Sequence, residues 1–132
     1  MTYCLDTNIV IDLWGGDESL RKILSTLSKE EIYITPITIC ELFKGAYLSS
    51  NVEYDLQLIN KFIDRTNVLN FTSDACHEFG KEFAKLQKSG KTTEELDLMI
   101  ACIAKVHGLT VVTRNKKHFE NIGVDIEVWW LR

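Results

Sequence analysis

Short apolar runs that suit buried strands alternate along this chain with longer stretches of helical periodicity. Few folds accept that order. Thr2-Tyr3-Cys4-Leu5 reads as a first strand, Ile32-Tyr33-Ile34 as a second and Val68-Leu69-Asn70-Phe71 as a third. Residues 109–113 read as a fourth, and a last strand falls around residues 126–129. Between them, Leu20, Ile23, Leu24 and Leu27 repeat at i, i+3, i+4, i+7, the spacing of one helix face. Ile59, Phe62 and Ile63 mark another helix over 52–65, and Cys76, Phe79, Phe83 and Leu86 a third from 72 to about 87. Boundary residues agree: Gly15-Gly16 breaks a short helix that ends near Trp14, and Asp17 can cap the next. Thr35 with Pro36 is a favoured helix start. Ser89-Gly90-Lys91 ends the third helix. Thr92 and Glu95 form a capping box for a helix that runs to His107, and Gly108 stops it. A short helix is expected near 116–120. Strands three and four read as buried on both faces. The pattern predicts an α/β fold with a mostly parallel sheet of four or five strands, helices on both faces and right-handed crossovers.

The 132 residues suit a single domain, 1–132, with a real core. At 45% hydrophobic and 26% charged the chain is expected to be globular. No apolar run nears the roughly 20 residues of a membrane helix, and Asp6 and Asp12 interrupt the N-terminal apolar stretch. A cytoplasmic protein without a membrane partner is the expectation. Net charge is −4, so any nucleic-acid binding must use a local basic patch. Cys4, Cys40, Cys76 and Cys102 lie far apart without a C-x-x-C pair and are expected to be buried free thiols.

Three carboxylates stand where a parallel α/β sheet directs its ligands, at strand C-termini and helix N-termini. Asp6 ends the first strand and opens Asp6-Thr7-Asn8. It is either a helix N-cap or a site residue; Thr7 and Asn8 favour the site, since small polar groups can orient a carboxylate or a water. Asp12, further along, reads as a solvated helix residue. Glu41 has Ile37, Ile39, Cys40, Leu42 and Phe43 around it, where a carboxylate is costly unless paired or bound to a cation. Gly45 lies four residues on and leaves space beside it for a partner or substrate. Asp97 either serves the helix dipole or, on the face of Ile100, Ala101 and Ala104, points into the crevice. Three acids gathered there repel one another unless a divalent cation neutralises them.

The chain resembles the PIN-domain ribonucleases, most closely the toxins of VapBC-type toxin–antitoxin pairs. The matching strings are Leu5-Asp6-Thr7-Asn8, then Thr38-Ile39-Cys40-Glu41-Leu42 with Gly45, then Asp97-Leu98-Met99-Ile100-Ala101, then Val112-Thr113-Arg114-Asn115 with Phe119. They occur in family order and span nearly the whole chain. The resemblance implies a three-layer α/β/α fold and an Mg2+ or Mn2+ site built by Asp6, Glu41 and Asp97. It further implies metal-dependent cleavage of RNA to 5′-phosphate and 3′-hydroxyl ends, a homodimer, and a VapB-type antitoxin partner. The family usually adds a fourth acid in the place of Asn115 or just before Phe119, where this chain has His118. Asn115 can offer a carbonyl oxygen or position a water. His118 is a ligand, a phosphate contact or an exposed polar residue, and if a ligand it favours manganese. Thr113 is a further supporting candidate.

For RNA, Lys44, Lys88, Lys91, Arg114, Lys116 and Lys117 are available, with Arg114 and Lys116 the first expectation because they follow the fourth strand. Trp14, Tyr47, Leu48, Tyr54 and Leu56 either line a groove for a partner helix or pack in the core. Of Trp129 and Trp130, which alternate faces in a strand, one ring is expected at the surface, available to the dimer. Two other classes are disfavoured. A haloacid-dehalogenase-like phosphatase needs a second Asp where Asn8 stands, and a receiver domain needs an Asp after the third strand where Thr72 stands. A PIN-like binding protein that has lost catalysis remains the alternative.

Overall fold

The computed structural model describes residues 1–129. Five short strands, β1 (Tyr3–Leu5), β2 (Ile32–Ile34), β3 (Asn67–Val68), β4 (Thr110–Val112) and β5 (Ile126–Glu127), form one sheet in the order β3-β2-β1-β4-β5. Every pairing is parallel. Among the described residues seven α-helices join them: α1 (Thr7–Trp14), α2 (Glu18–Leu24), α3 (Pro36–Tyr47), α4 (Val52–Asp64), α5 (Ser73–Lys88), α6 (Glu95–Val106) and α7 (Lys116–Phe119). β1 lies at the centre, with β2 on one side and β4 on the other. The strand order therefore reverses at β1, and a crevice opens at its C-terminal end, where Asp6 follows.

The period-2 alternation of strand side chains divides the core in two. Cys4 and Val111 face one side and pack with Leu86 of α5 and Ile100 and Ala104 of α6. Their neighbours Leu5 and Val112 face the other, with Ile34, Ile9 of α1, Leu42 of α3 and Ile59 of α4. Helices thus cover both faces, the three-layer α/β/α arrangement. Each fully buried Leu or Ile contributes about 1.5–3 kcal/mol, so both layers are strongly held to the sheet. Across α5 and α6, the Lys105 Nζ lies 2.6 Å from Glu78 and 3.3 Å from buried Glu82, which partly offsets the cost of an acid in that interface.

The structure corrects several expectations. The third strand is only Asn67–Val68, and Val68 is exposed because β3 is a sheet edge with one neighbour. The Leu69 amide still donates to the Ile34 carbonyl at 2.9 Å, but the ladder stops there. The last strand ends at Glu127; Trp129 is buried edge-on against Tyr3, and Trp130 lies outside the described residues. Glu94, not Thr92, caps α6: its carboxylate accepts from the Asp97 amide at 2.9 Å. Cys40 and Cys76 are exposed, because they fall on the solvent faces of α3 and α5. Cys4 and Cys102 are buried as expected, and burial pushes both thiols up to about 12. Among the described residues no helix is long and apolar enough to cross a membrane.

Candidate metal centre

Asp6 is the fixed point of the crevice. Its amide donates to the Val112 carbonyl at 2.9 Å, so the residue still belongs to the sheet ladder, and only then does α1 begin. It occupies the N-cap position, yet its side chain takes the adjacent Thr7 amide at 2.8 Å rather than one further into the helix. Its other oxygen accepts from the Thr113 hydroxyl at 2.7 Å. Thr113 in turn accepts from the Asn115 amide at 2.9 Å, which ties the loop after β4 to the same carboxylate. Both oxygens of a 1%-exposed acid are thereby aimed.

Glu41 and Asp97 flank it from the N-terminal halves of α3 and α6. Glu41 is half-buried, and its Oε1 accepts from the Thr7 hydroxyl at 2.7 Å. Thr7 therefore serves two acids, with its amide on Asp6 and its hydroxyl on Glu41. Asp97 is half-buried and lies 2.5 Å from the His118 Nδ1. The imidazole is thus engaged with one of the three acids rather than standing alone at the surface.

The electrostatics of Asp6 register both neighbouring acids. Burial, reinforced by the charges of Asp97 and Glu41, pushes the Asp6 carboxyl up to about 6, against the opposing hydrogen bonds from Thr113 and Thr7. Asp97 is also raised, chiefly by burial and then by Glu94, with the His118 hydrogen bond opposing. Among the described residues no three His, Cys, Asp or Glu side chains stand as a ready ligand set. The donor chemistry nevertheless suits a hard divalent cation: carboxylates facing one crevice, an imidazole at its edge, and like charges that a cation would relieve.

The basic residues divide. Arg114 has its Nε 2.5 Å from Asp12 and its Nη2 2.5 Å from Asp17. Asp12 is therefore an ion-pair partner rather than a solvated helix residue, and Arg114 staples the loop after β4 to the turn between α1 and α2. Asp17 caps α2 through Leu20; that amide first, and Arg114 next, hold its carboxyl below the usual range. Lys116 and Lys117 are exposed on α7 beside the crevice loop. Asn8 is exposed, and Asn115 is half-buried without using its side chain to cap α7. Trp14 and Leu56 pack against the core, whereas Tyr47, Leu48 and Tyr54 are exposed. An open cavity of about 660 Å³ lies between α1, α2 and α4, lined among others by Leu13, Trp14, Leu24, Tyr54 and Phe62.

The PIN domain family matches residues 3–124, almost the entire chain. This chain belongs to the PIN-domain family. It is 34% identical over 124 residues to ribonuclease VapC1 of Haemophilus influenzae strain R2866, covering 92% of each chain. It is 32% identical over 123 residues to the tRNA(fMet)-specific endonuclease VapC of Shigella flexneri, covering 93% of each. Its fold matches that of a chain in DNA-bound VapBC from Salmonella typhimurium with a TM-score of 0.90 at 34% identity, over 98% of both chains. VapBC-1 from nontypeable Haemophilus influenzae gives 0.89 at 33%, over 98% of this chain and 99% of that one. PIN-domain membership sets aside the phosphatase and receiver-domain alternatives.

Proposed function

We propose that this PIN domain, residues 1–132, is a metal-dependent endoribonuclease and the toxin of a VapBC-type pair, working in the cytoplasm. The observation that carries the reading is Asp6: a buried carboxylate, fixed by Thr7 and Thr113, that feels Asp97 and Glu41 as neighbouring like charges. The similarity to VapC ribonucleases gives that cluster its reaction class.

Asp6 and Asp97 would hold Mg2+ or Mn2+ directly, and Glu41 would hold it through water or take the proton of the attacking water. The chemistry supplied by the bound cation is acidification of a water and neutralisation of charge on the scissile phosphate. Thr7, Thr113 and Asn115 keep the carboxylates aimed, and His118 bears on Asp97. Asn8 stands at the rim. Lys116 guides the RNA backbone, joined by Arg114 where phosphate displaces Asp12 and Asp17. Cleavage leaves 5′-phosphate and 3′-hydroxyl ends. A VapB-type antitoxin occupies the groove beside Trp14 and Tyr54, and the toxin is a homodimer. The test is cleavage of RNA by Asp6→Asn, which is expected to stay folded and lose activity; an active Asp6→Asn protein would contradict the mechanism.

A second reading has its own observation. Asn115 and His118 stand where the family resemblance places a fourth acid, and His118 already takes one oxygen of Asp97. A PIN domain that binds RNA or a partner without turnover fits that substitution, and metal-dependent cleavage separates the two readings.

A further inference from the structure

We propose that Thr38 is a positioning residue for Glu41, acting through the hydroxyl of Thr7. The inference rests on the reading of Glu41 as part of a cation site. Thr38 is fully buried one helical turn before Glu41, on the same face of α3. Its own amide is held by the Thr35 hydroxyl at 3.2 Å, so the first turn of α3 is locked. Its hydroxyl lies 3.0 Å from that of Thr7, which lies 2.7 Å from Glu41 Oε1.

Proton counting sets the direction of this chain. A threonine hydroxyl has one hydrogen, and an ionised carboxylate can only accept. Thr7 therefore gives its hydrogen to Glu41 and receives one from Thr38. Thr38 has no other acceptor among the described residues, and a buried hydroxyl left without a partner is costly. Its donation thus commits Thr7 to a single rotamer, with the hydrogen directed at Glu41. A donor chain of this kind also polarises the bond at its end. Glu41 Oε1 is held in place, and its other oxygen, unbonded among the described residues, is left for the cation or its water. Thr38 touches neither RNA nor cation; it sets the orientation of a residue that does.

The experiment is titration of the metal-free full-length chain with Mn2+ by calorimetry, with RNA cleavage measured beside it. Thr38→Val keeps the shape and removes the donor. It is expected to weaken Mn2+ binding about tenfold, the scale of a lost partner behind a metal ligand. The same loss is expected in the Mn2+ dependence of cleavage, with KM for RNA unchanged. Thr38→Ser, which keeps the donor, restores wild-type affinity. Placed on Thr7→Val, Thr38→Val adds less than about twofold, because the relay is already cut. Equal losses in both backgrounds, or Thr38→Ser as weak as Thr38→Val, overturn the inference and leave a packing role. Thr38→Ala serves in the same comparison if the valine variant fails to fold. A wild type that binds no Mn2+ overturns the cation reading itself, and this inference falls with it.

Discussion

Asp6 occupies a position that an isolated carboxylate avoids, and its linkage to folding follows from that. In chelator, the folded protein keeps the Asp6 proton up to about 6, against an ordinary value of 3.8. The native state therefore binds more protons than the unfolded chain between those values. The sign is that of a raised acid: the stabilisation is fully present below the unfolded value and is lost as pH rises through about 6, by up to roughly 3 kcal/mol. Denaturant unfolding across pH in EDTA is expected to show a larger loss in the wild type than in Asp6→Asn, which keeps only the raised Asp97. Parallel curves for the two proteins would remove the linkage. Mn2+ should abolish the effect by supplying the missing positive charge. At the same scale, His118→Ala is expected to lower the ratio of manganese- to magnesium-supported cleavage, since manganese tolerates imidazole better; an unchanged ratio would take His118 out of the site.

Helix starts place two of the three acids, so the elements can be tested there. Glu94→Ala removes the cap of α6 and should cost about 1 kcal/mol of stability, and it should reduce cleavage through the first-turn position of Asp97. Unchanged cleavage in a folded Glu94→Ala protein would show that Asp97 does not depend on the cap. Gly45 is exposed on α3, and a Cβ there would meet nothing within 4 Å. Gly45→Ala should therefore stabilise by about 0.5–1 kcal/mol. If the open space serves RNA or a partner, the same variant loses activity or antitoxin binding; a more stable, fully functional protein would leave the glycine without that role. The caps at Asp17 and Thr35 were legible in the sequence because each is a local contact of three residues. So were β1, β2 and β4, whose side chains have one environment on each face. β3 was overread because an edge position is a tertiary fact that an apolar run does not encode. The partnerships of the site were hidden for a related reason. Thr7 and Thr38 are 31 residues apart, Asp97 and His118 21, Asp6 and Thr113 107, and no local spacing announces them. Arg114 looked like a free cation in the sequence because its partners, Asp12 and Asp17, lie on other elements.

The whole molecule is acidic, with a net charge of −4, so the proposed function requires RNA to be attracted by local basic residues and the centre itself. Lys116→Glu should weaken RNA binding and flatten its salt dependence by about one counterion; cleavage with unchanged salt dependence would remove Lys116 from the interface. The groove between α1, α2 and α4 lies on the Leu5 side of the sheet, behind the helix that Asp6 opens. Antitoxin docking there can thus bear on α1 without filling the crevice. The most direct measurement is RNA cleavage by the purified, antitoxin-free chain in manganese, magnesium or EDTA, beside Asp6→Asn. Cleavage that requires the metal and vanishes in folded Asp6→Asn is the predicted result. A folded wild type that cleaves its RNA equally in EDTA, or none under any metal, would contradict the account, the second outcome in favour of a binding-only PIN domain.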